Sequence, residues 1–210
     1  MYNPPQFQVS DTGKLVSLIR GNPLGAIVVL GEEGLVANHL PFLVDVEDGK
    51  IIRLRAHIPK ANPLCGMLQS PKGCLTIFQG ADGYVSPSWY ATKAEHGKVV
   101  PTWNYEVVHV HGKVHLQEDP DWVLEQLQEL TKLNEEGREK EWSVSDAPEE
   151  FTQGLLRALV GLEVLVDKVE GKTKASQNQP VGNQASILAA LEKEVPGSPL
   201  QTMMDGVLKK

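Results

Sequence analysis

Cysteine is scarce in this 210-residue chain, which carries only Cys65 and Cys74. Two thiols cannot build a disulfide framework and their separation is not that of a zinc site, so they point to small buried thiols in a reducing compartment. Apolar runs of the roughly eighteen residues that a membrane helix needs are missing as well. The start, Met1-Tyr2-Asn3-Pro4-Pro5, has neither the basic nor the apolar region of a secretion signal. The expectation is a cytoplasmic protein with no membrane association. No glycine-rich dinucleotide loop, Walker lysine or nucleophile elbow occurs, which removes the commonest nucleotide-binding and hydrolase patterns. Positive charge is in deficit: 20 Lys and Arg face 27 Asp and Glu, for a net charge of -7. The imbalance is local, because residues 118–170 hold 15 acidic and 5 basic side chains while residues 1–117 are almost neutral. An acidic segment of this kind repels a phosphate backbone and argues against direct DNA binding.

What the chain does have is alternation. Asp11 caps a first helix that the apolar spacing of Leu15, Leu18 and Ile19 carries to Arg20. Residues 25–30 and 35–40 read as a hairpin around Glu32-Glu33-Gly34, and a strand with Ile52, Leu54 and Ala56 on one side follows the turn at 47–50. Residues 74–78 form a further strand, after which Ser-Pro-Ser-Trp leaves as an irregular loop. From about Lys98 to Leu116 an extended pair is expected, with Gly112 as a bulge. Asp119-Pro120 opens a helix with Val123, Leu127, Leu130 and Leu133 as its buried stripe. Asp146 and Glu149, at capping-box spacing, start another that buries Phe151, Leu155 and Leu159. A late strand at 162–166, a polar stretch at 171–182, a helix at 184–194 and a loose end from Pro196 complete the pattern. The fold class is mainly β with flanking helices, an α+β chain whose many short strands suit a barrel or sandwich.

Three clusters are candidates for chemistry. Arg53, Arg55 and His57 share one face of their strand, with Lys60 and Asn62 just beyond, and such a face either holds an anion or forms the polar outside of a sheet. Tyr84-Val-Ser-Pro-Ser88-Trp89-Tyr90, Lys93 and Val100-Pro-Thr102-Trp103-Asn104-Tyr105 place hydroxyls, amides and indoles side by side, a surface for a phosphate or ribityl chain and a planar ring, or a rigid proline-stiffened corner. Lys174, Gln177 and Asn178 lie in a basic, amide-rich stretch that is either a solvated linker or a flap over a site. His109, His111 and His115 share a face but have no Cys, Asp or Glu beside them there, so no metal is expected. No residue declares itself catalytic.

In order along the chain, His39-Leu-Pro, His57-Ile-x-Lys60-Ala-Asn62-Pro, Phe78-x-Gly80, Tyr84-Val-Ser-Pro-Ser-Trp-Tyr90, Val100-Pro-Thr-Trp-Asn-Tyr105, His109-x-His111-Gly112 and Lys174-x-Ser-Gln-Asn178 resemble the PaiB-like family of FMN-binding negative transcriptional regulators. The resemblance implies a split β-barrel over residues 1–180, carrying inserted helices, with 181–210 as a C-terminal helix and tail. It also implies a homodimer with FMN at the subunit interface. The phosphate would meet Arg55, His57, Lys60, Ser88, Lys93 and Thr102, with Asn62 beside them. The ring would lie near Trp89, Trp103 and Asn104, and Lys174, Gln177 and Asn178 would come from the other subunit. A flavin-dependent oxidoreductase acting on a small substrate is the alternative reading, in which the cofactor carries the chemistry.

Overall fold

The alternating segments pair as strands because each has one face to bury. The structure, a computed structural model, describes residues 1–68 and 72–209. In chain order the elements are β1 (Gln8–Val9), α1 (Thr12–Gly21), β2 (Leu24–Gly31), β3 (Gly34–Pro41), β4 (Leu43–Glu47), β5 (Lys50–Pro59), α2 (Leu64–Met67), β6 (Lys72–Val85), α3 (Lys93–His96), β7 (Thr102–Gln117), α4 (Pro120–Glu135), α5 (Glu149–Ala158), β8 (Leu159–Lys174), α6 (Val181–Glu194) and α7 (Pro199–Leu208). The strands form one eight-stranded antiparallel sheet in the order β3-β2-β6-β7-β8-β5-β4, with β1 added on β8. Two compact units divide the chain. One holds Met1–Leu18, Gln79–Val108 and Glu170–Lys210, the other Ile19–Phe78 and His109–Val169.

In the second unit the hairpin β2–β3 pairs Leu24 with Pro41 through to Gly31 with Gly34, and β5 pairs with β8 from Arg53–Leu165 to Pro59–Leu159. Ile27, Leu54, Ile58, Phe78 and Leu162 make its core, and Phe42 meets Phe78 edge-on at 5.7 Å. The expected bulge at Gly112 has a different explanation: a Cβ there would strike the Leu165 carbonyl, so the glycine lets β7 and β8 approach. The extended pair expected from Lys98 is one long strand, β7, because Pro101 precedes its start.

Helices depart from expectation where tertiary packing overrides pattern. Asp11 does accept from the Lys14 amide (2.8 Å), and Asp119 from that of Asp121 (3.0 Å). The capping box, however, is Ser143/Asp146 on the turn Val144–Asp146, and α5 starts after Pro148. On α5 it is Leu156 that is buried, while Phe151 and Leu155 face solvent, as does Leu133 on α4. In the first unit the end expected to be loose is α7, capped by Ser198, whose Leu200, Met203 and Met204 pack with Ile187 and Leu191 of α6 and with Val85 and Tyr90. Three apolar residues at helical spacing after Ser198-Pro199 carry that signal in the sequence.

Candidate functional site

In the second unit, the basic face of β5 is covered rather than open. Arg55, 8 % exposed, donates to both carboxylate oxygens of Asp45 at 2.8 Å and to Glu129 of α4 at 2.5 Å. Arg53 joins Asp45 (2.5 Å) to Glu163 (3.0 Å), and Gln117 donates to the other Glu163 oxygen. Burial alone would raise the Asp45 carboxyl; the hydrogen bonds and charges of Arg55 and Arg53 outweigh it and hold the group below its usual range. His57 Nδ1 lies 2.8 Å from Gln126 Oε1, while Asn62 donates to Asn38 (3.0 Å) and accepts from the Leu64 amide (2.9 Å), opening α2. Lys60 is exposed. The polar outside foreseen for this strand is therefore a satisfied ionic layer beneath α4, and its guanidiniums already have carboxylate partners. Burial raises both thiols, that of Cys74 to about 11, which leaves them poor nucleophiles. Among the described residues no group of three or more His, Cys, Asp and Glu comes together.

The first unit holds a cavity of about 270 Å³. Its wall is built where β7 begins, where β8 ends and where α6 starts: Thr102, Lys174, Ser176, Asn178 and Asn183 line it, with Tyr90 and Thr92 from the Ser-Pro-Ser-Trp-Tyr corner and with His96 and Lys98. None of the lining residues is an Asp or Glu. The proton count is decisive for its chemistry. Lys174 Nζ donates to Thr102 Oγ1 and to the Trp103 carbonyl (2.8 Å), leaving one of three ammonium protons, and Thr102, used as an acceptor, keeps its own hydroxyl proton to give. Asn183 Nδ2 donates to Thr92 Oγ1 (3.0 Å), leaving the Thr92 proton likewise.

Deeper in, Asn104, fully buried, donates to Ser176 Oγ (2.9 Å) and to Met204 Sδ (3.4 Å). Ser176, used there as an acceptor, keeps its own hydroxyl proton to give, and both it and Tyr90 line the cavity. Ser176 sits at φ +59°, a left-handed conformation unusual for serine and characteristic of sites under local demand. The α6 N-terminus beside it is capped by Pro180, which offers no side-chain acceptor, and its first turn has no acidic residue. Donors, cations and a helix N-terminus without a counter-charge make a pocket for an anion.

Of the remaining sequence-predicted residues, Gln177 is close by in the chain but points inward, its oxygen accepting from the Ala175 amide (2.6 Å) and its nitrogen donating to the carbonyls of Thr173 (2.6 Å) and Gln6 (3.1 Å). Ser88 bonds Ser86 (2.6 Å), Trp89 donates to Glu194 (3.0 Å) and Lys93 is exposed on α3. Trp103 keeps half of its surface in solvent, edge-on to Tyr84 at 6.2 Å, and its indole N–H reaches Asp82 (3.3 Å). Thr102, Lys174 and Asn178 thus share one cavity, and Trp103 and Asn104 border it through hydrogen bonds. Tyr90, Thr92, Ser176 and Asn183 escaped the sequence reading as ligand groups, although Tyr90 and Ser176 stood inside its motifs. Burial, and then neighbouring Lys172, depress the Lys174 ammonium, and Lys172 itself is buried, donating to the Tyr2 carbonyl (3.1 Å) with its ammonium 5.1 Å from the Tyr105 ring centre.

Glu106 has room only because residue 80 is glycine: a Cβ there would stand 2.7 Å from the carboxylate. Burial raises the Glu106 carboxyl above its usual 4.5, outweighing the opposing pull of the Ala81 backbone. A raised folded pKa for an acid means that rising pH through this range removes stability, a cost fully present at neutrality. Glu106→Gln should therefore raise the melting temperature at pH 7, and the gain should vanish below about pH 4, where both carboxyls are protonated. Thermal scans at the two pH values check this.

Residues 1–168 match the family described as “Putative FMN-binding domain”. The chain belongs to that family. An uncharacterized protein of Emericella nidulans is 32 % identical over 85 % of both chains, and the protease synthase and sporulation protein PAI 2 of Bacillus subtilis is 26 % identical over 100 % of this chain and 99 % of its own. The solved structure of the FAD and heme binding protein of Mycobacterium smegmatis, 18 % identical, superposes with a TM-score of 0.59 over 80 % of this chain and 73 % of that one, so the fold is shared. The FMN-binding family member described here thus has the split-barrel fold, and FMN is its cofactor. A phosphate monoester is compatible with the cavity on chemistry, being acceptor-only toward a wall rich in donors. Among the described residues no helix is long and apolar enough to cross a membrane.

Proposed function

We propose that this chain acts as a homodimeric FMN-binding protein in negative control of gene expression, without itself reading DNA. The collinear motifs from His39 to Asn178 and the full-length similarity to PAI 2 support the regulatory reading. The acidic excess of residues 118–170 supports action other than through the phosphate backbone. The observation that carries flavin binding is the cavity wall of Thr102, Lys174, Ser176 and Tyr90, which has hydroxyl and ammonium protons to give and no carboxylate. In this reading those residues hold the phosphate end of FMN, Asn178 and Asn183 orient it, and the exposed indole of Trp103 offers a face to the ring. Bound flavin would supply one- or two-electron redox chemistry, and the protein's part is to position it and exclude water.

Titrations with FMN and with riboflavin, followed by quenching of flavin fluorescence, test this. Lys174→Met and Thr102→Val should each weaken FMN by about 1–3 kcal/mol, roughly 5- to 150-fold, and leave riboflavin nearly unchanged. Unaltered FMN affinity in both variants would take the phosphate out of the cavity. Salt-sensitive retention of promoter DNA by the purified protein would overturn the indirect mode of regulation.

A further inference from the structure

Within the acidic segment 118–170, four large apolar side chains stand in solvent: Leu133 is 54 % exposed, Trp142 48 %, Phe151 59 % and Leu155 50 %. Phe151 and Leu155 are one turn apart on α5 and form a stripe, while the helix uses Leu156 for its own attachment. Leu133 ends α4, Trp142 lies in the connection and is tied back by its amide to Glu135 (3.2 Å), and α4 packs on α5 and on the turn Val144–Asp146. Exposed carboxylates surround them: Glu136, Glu139 and Glu141 in the connection, and Glu149 and Glu150 in the first turn of α5. Exposed Lys132, Arg138, Lys140 and Arg157 stand in the same stretch, where carboxylates outnumber them, and an amphipathic helix that shows its apolar stripe to water within a net acidic surround has the make-up of a docking face.

We propose that this face, on α4, α5 and their connection, binds a cationic amphipathic segment of another protein. Apolar side chains of the partner cover Phe151, Leu155, Trp142 and Leu133, and its lysines or arginines meet the glutamates. The charge selects among occupants. A second copy would set a segment with 15 acidic and 5 basic residues against its own like, and nucleic acid or an anionic membrane carries the same sign. The inference goes beyond the proposed function and does not depend on flavin binding.

The full-length protein is titrated with a synthetic amphipathic helix of leucine and lysine, and separately with its leucine and glutamate counterpart, following tryptophan emission. Only the lysine peptide should bind, with a blue shift that Trp142→Phe removes. Phe151→Ser with Leu155→Ser should weaken it about tenfold or more, since a few central apolar anchors dominate such faces. Glu149→Gln with Glu150→Gln, which spares the apolar stripe, should weaken it at low salt and match the unaltered protein in molar salt. Equal affinity for both peptides, or indifference to both pairs of substitutions, would overturn the proposal. So would sedimentation showing a dimer that Phe151→Ser with Leu155→Ser splits, which would make a second copy the occupant, or binding of neutral lipid vesicles that those substitutions abolish.

Discussion

Arg55→Met should lower the free energy of unfolding by about 3–5 kcal/mol, the usual loss when one member of a buried ion pair is removed, and the melting temperature by about 6–20 °C. The reason lies in what remains. Asp45 loses two of the hydrogen bonds that keep it ionised in a half-buried site, and Glu129 loses the guanidinium that ties α4 to β5. Arg55→Lys should fall between, because an ammonium keeps the charge and gives up the fork. Adding Asp45→Asn to Arg55→Met should recover part of the loss by removing a carboxylate left with Arg53 as its one guanidinium partner. Denaturant unfolding measures all three.

The pH dependence follows with its sign. Asp45 has a depressed folded pKa, so its contribution is present above its unfolded value of about 3.9 and is lost as pH falls through the lower folded value. Stability of the unaltered protein should drop in that acid window, and in Arg55→Met the drop should be shallower. Flavin affinity is a separate readout: with its guanidinium committed to carboxylates, Arg55 should matter less to FMN than Lys174 does.

Met204→Ala should cost about 2–5 kcal/mol. The side chain is fully buried between α6, α7 and the buried end of Asn104, in the apolar face by which α7 packs on the first unit. Met204→Leu keeps the volume and should cost less than about 1.5 kcal/mol, which isolates the sulfur's part in holding the Asn104 amide. If both variants melt like the parent in calorimetry, the end of the chain is not packed as described.

Strand periodicity was legible where a strand buries one face, as in residues 24–31 and 50–59, and residues 34–41 were found from the turn that pairs them with the first of these. Helix stripes were less so. Phe151 and Leu155 have the spacing of a core face, yet Leu156 was needed to anchor α5, and spacing cannot say which of two neighbouring faces a helix spends on its own fold. The motif segments located Thr102, Lys174 and Asn178 but not their relation, since residues 102 and 174 meet only because β7 and β8 are neighbours in the sheet. Arg55 shows the opposite limit. Its carboxylate partners are ten residues upstream on an adjacent strand and far downstream on a helix, a pairing that no local pattern encodes.

The left-handed backbone at Ser176 narrows what evolution or a mutagenesis library can place there. Threonine would keep the hydroxyl but pays for its branched Cβ, whereas glycine and asparagine accept the dihedral and lose the hydroxyl that accepts from Asn104 and faces the cavity. Serine is the residue that meets both demands, so a selection for flavin retention at this codon should return little else, while a selection for folding alone should drift toward glycine.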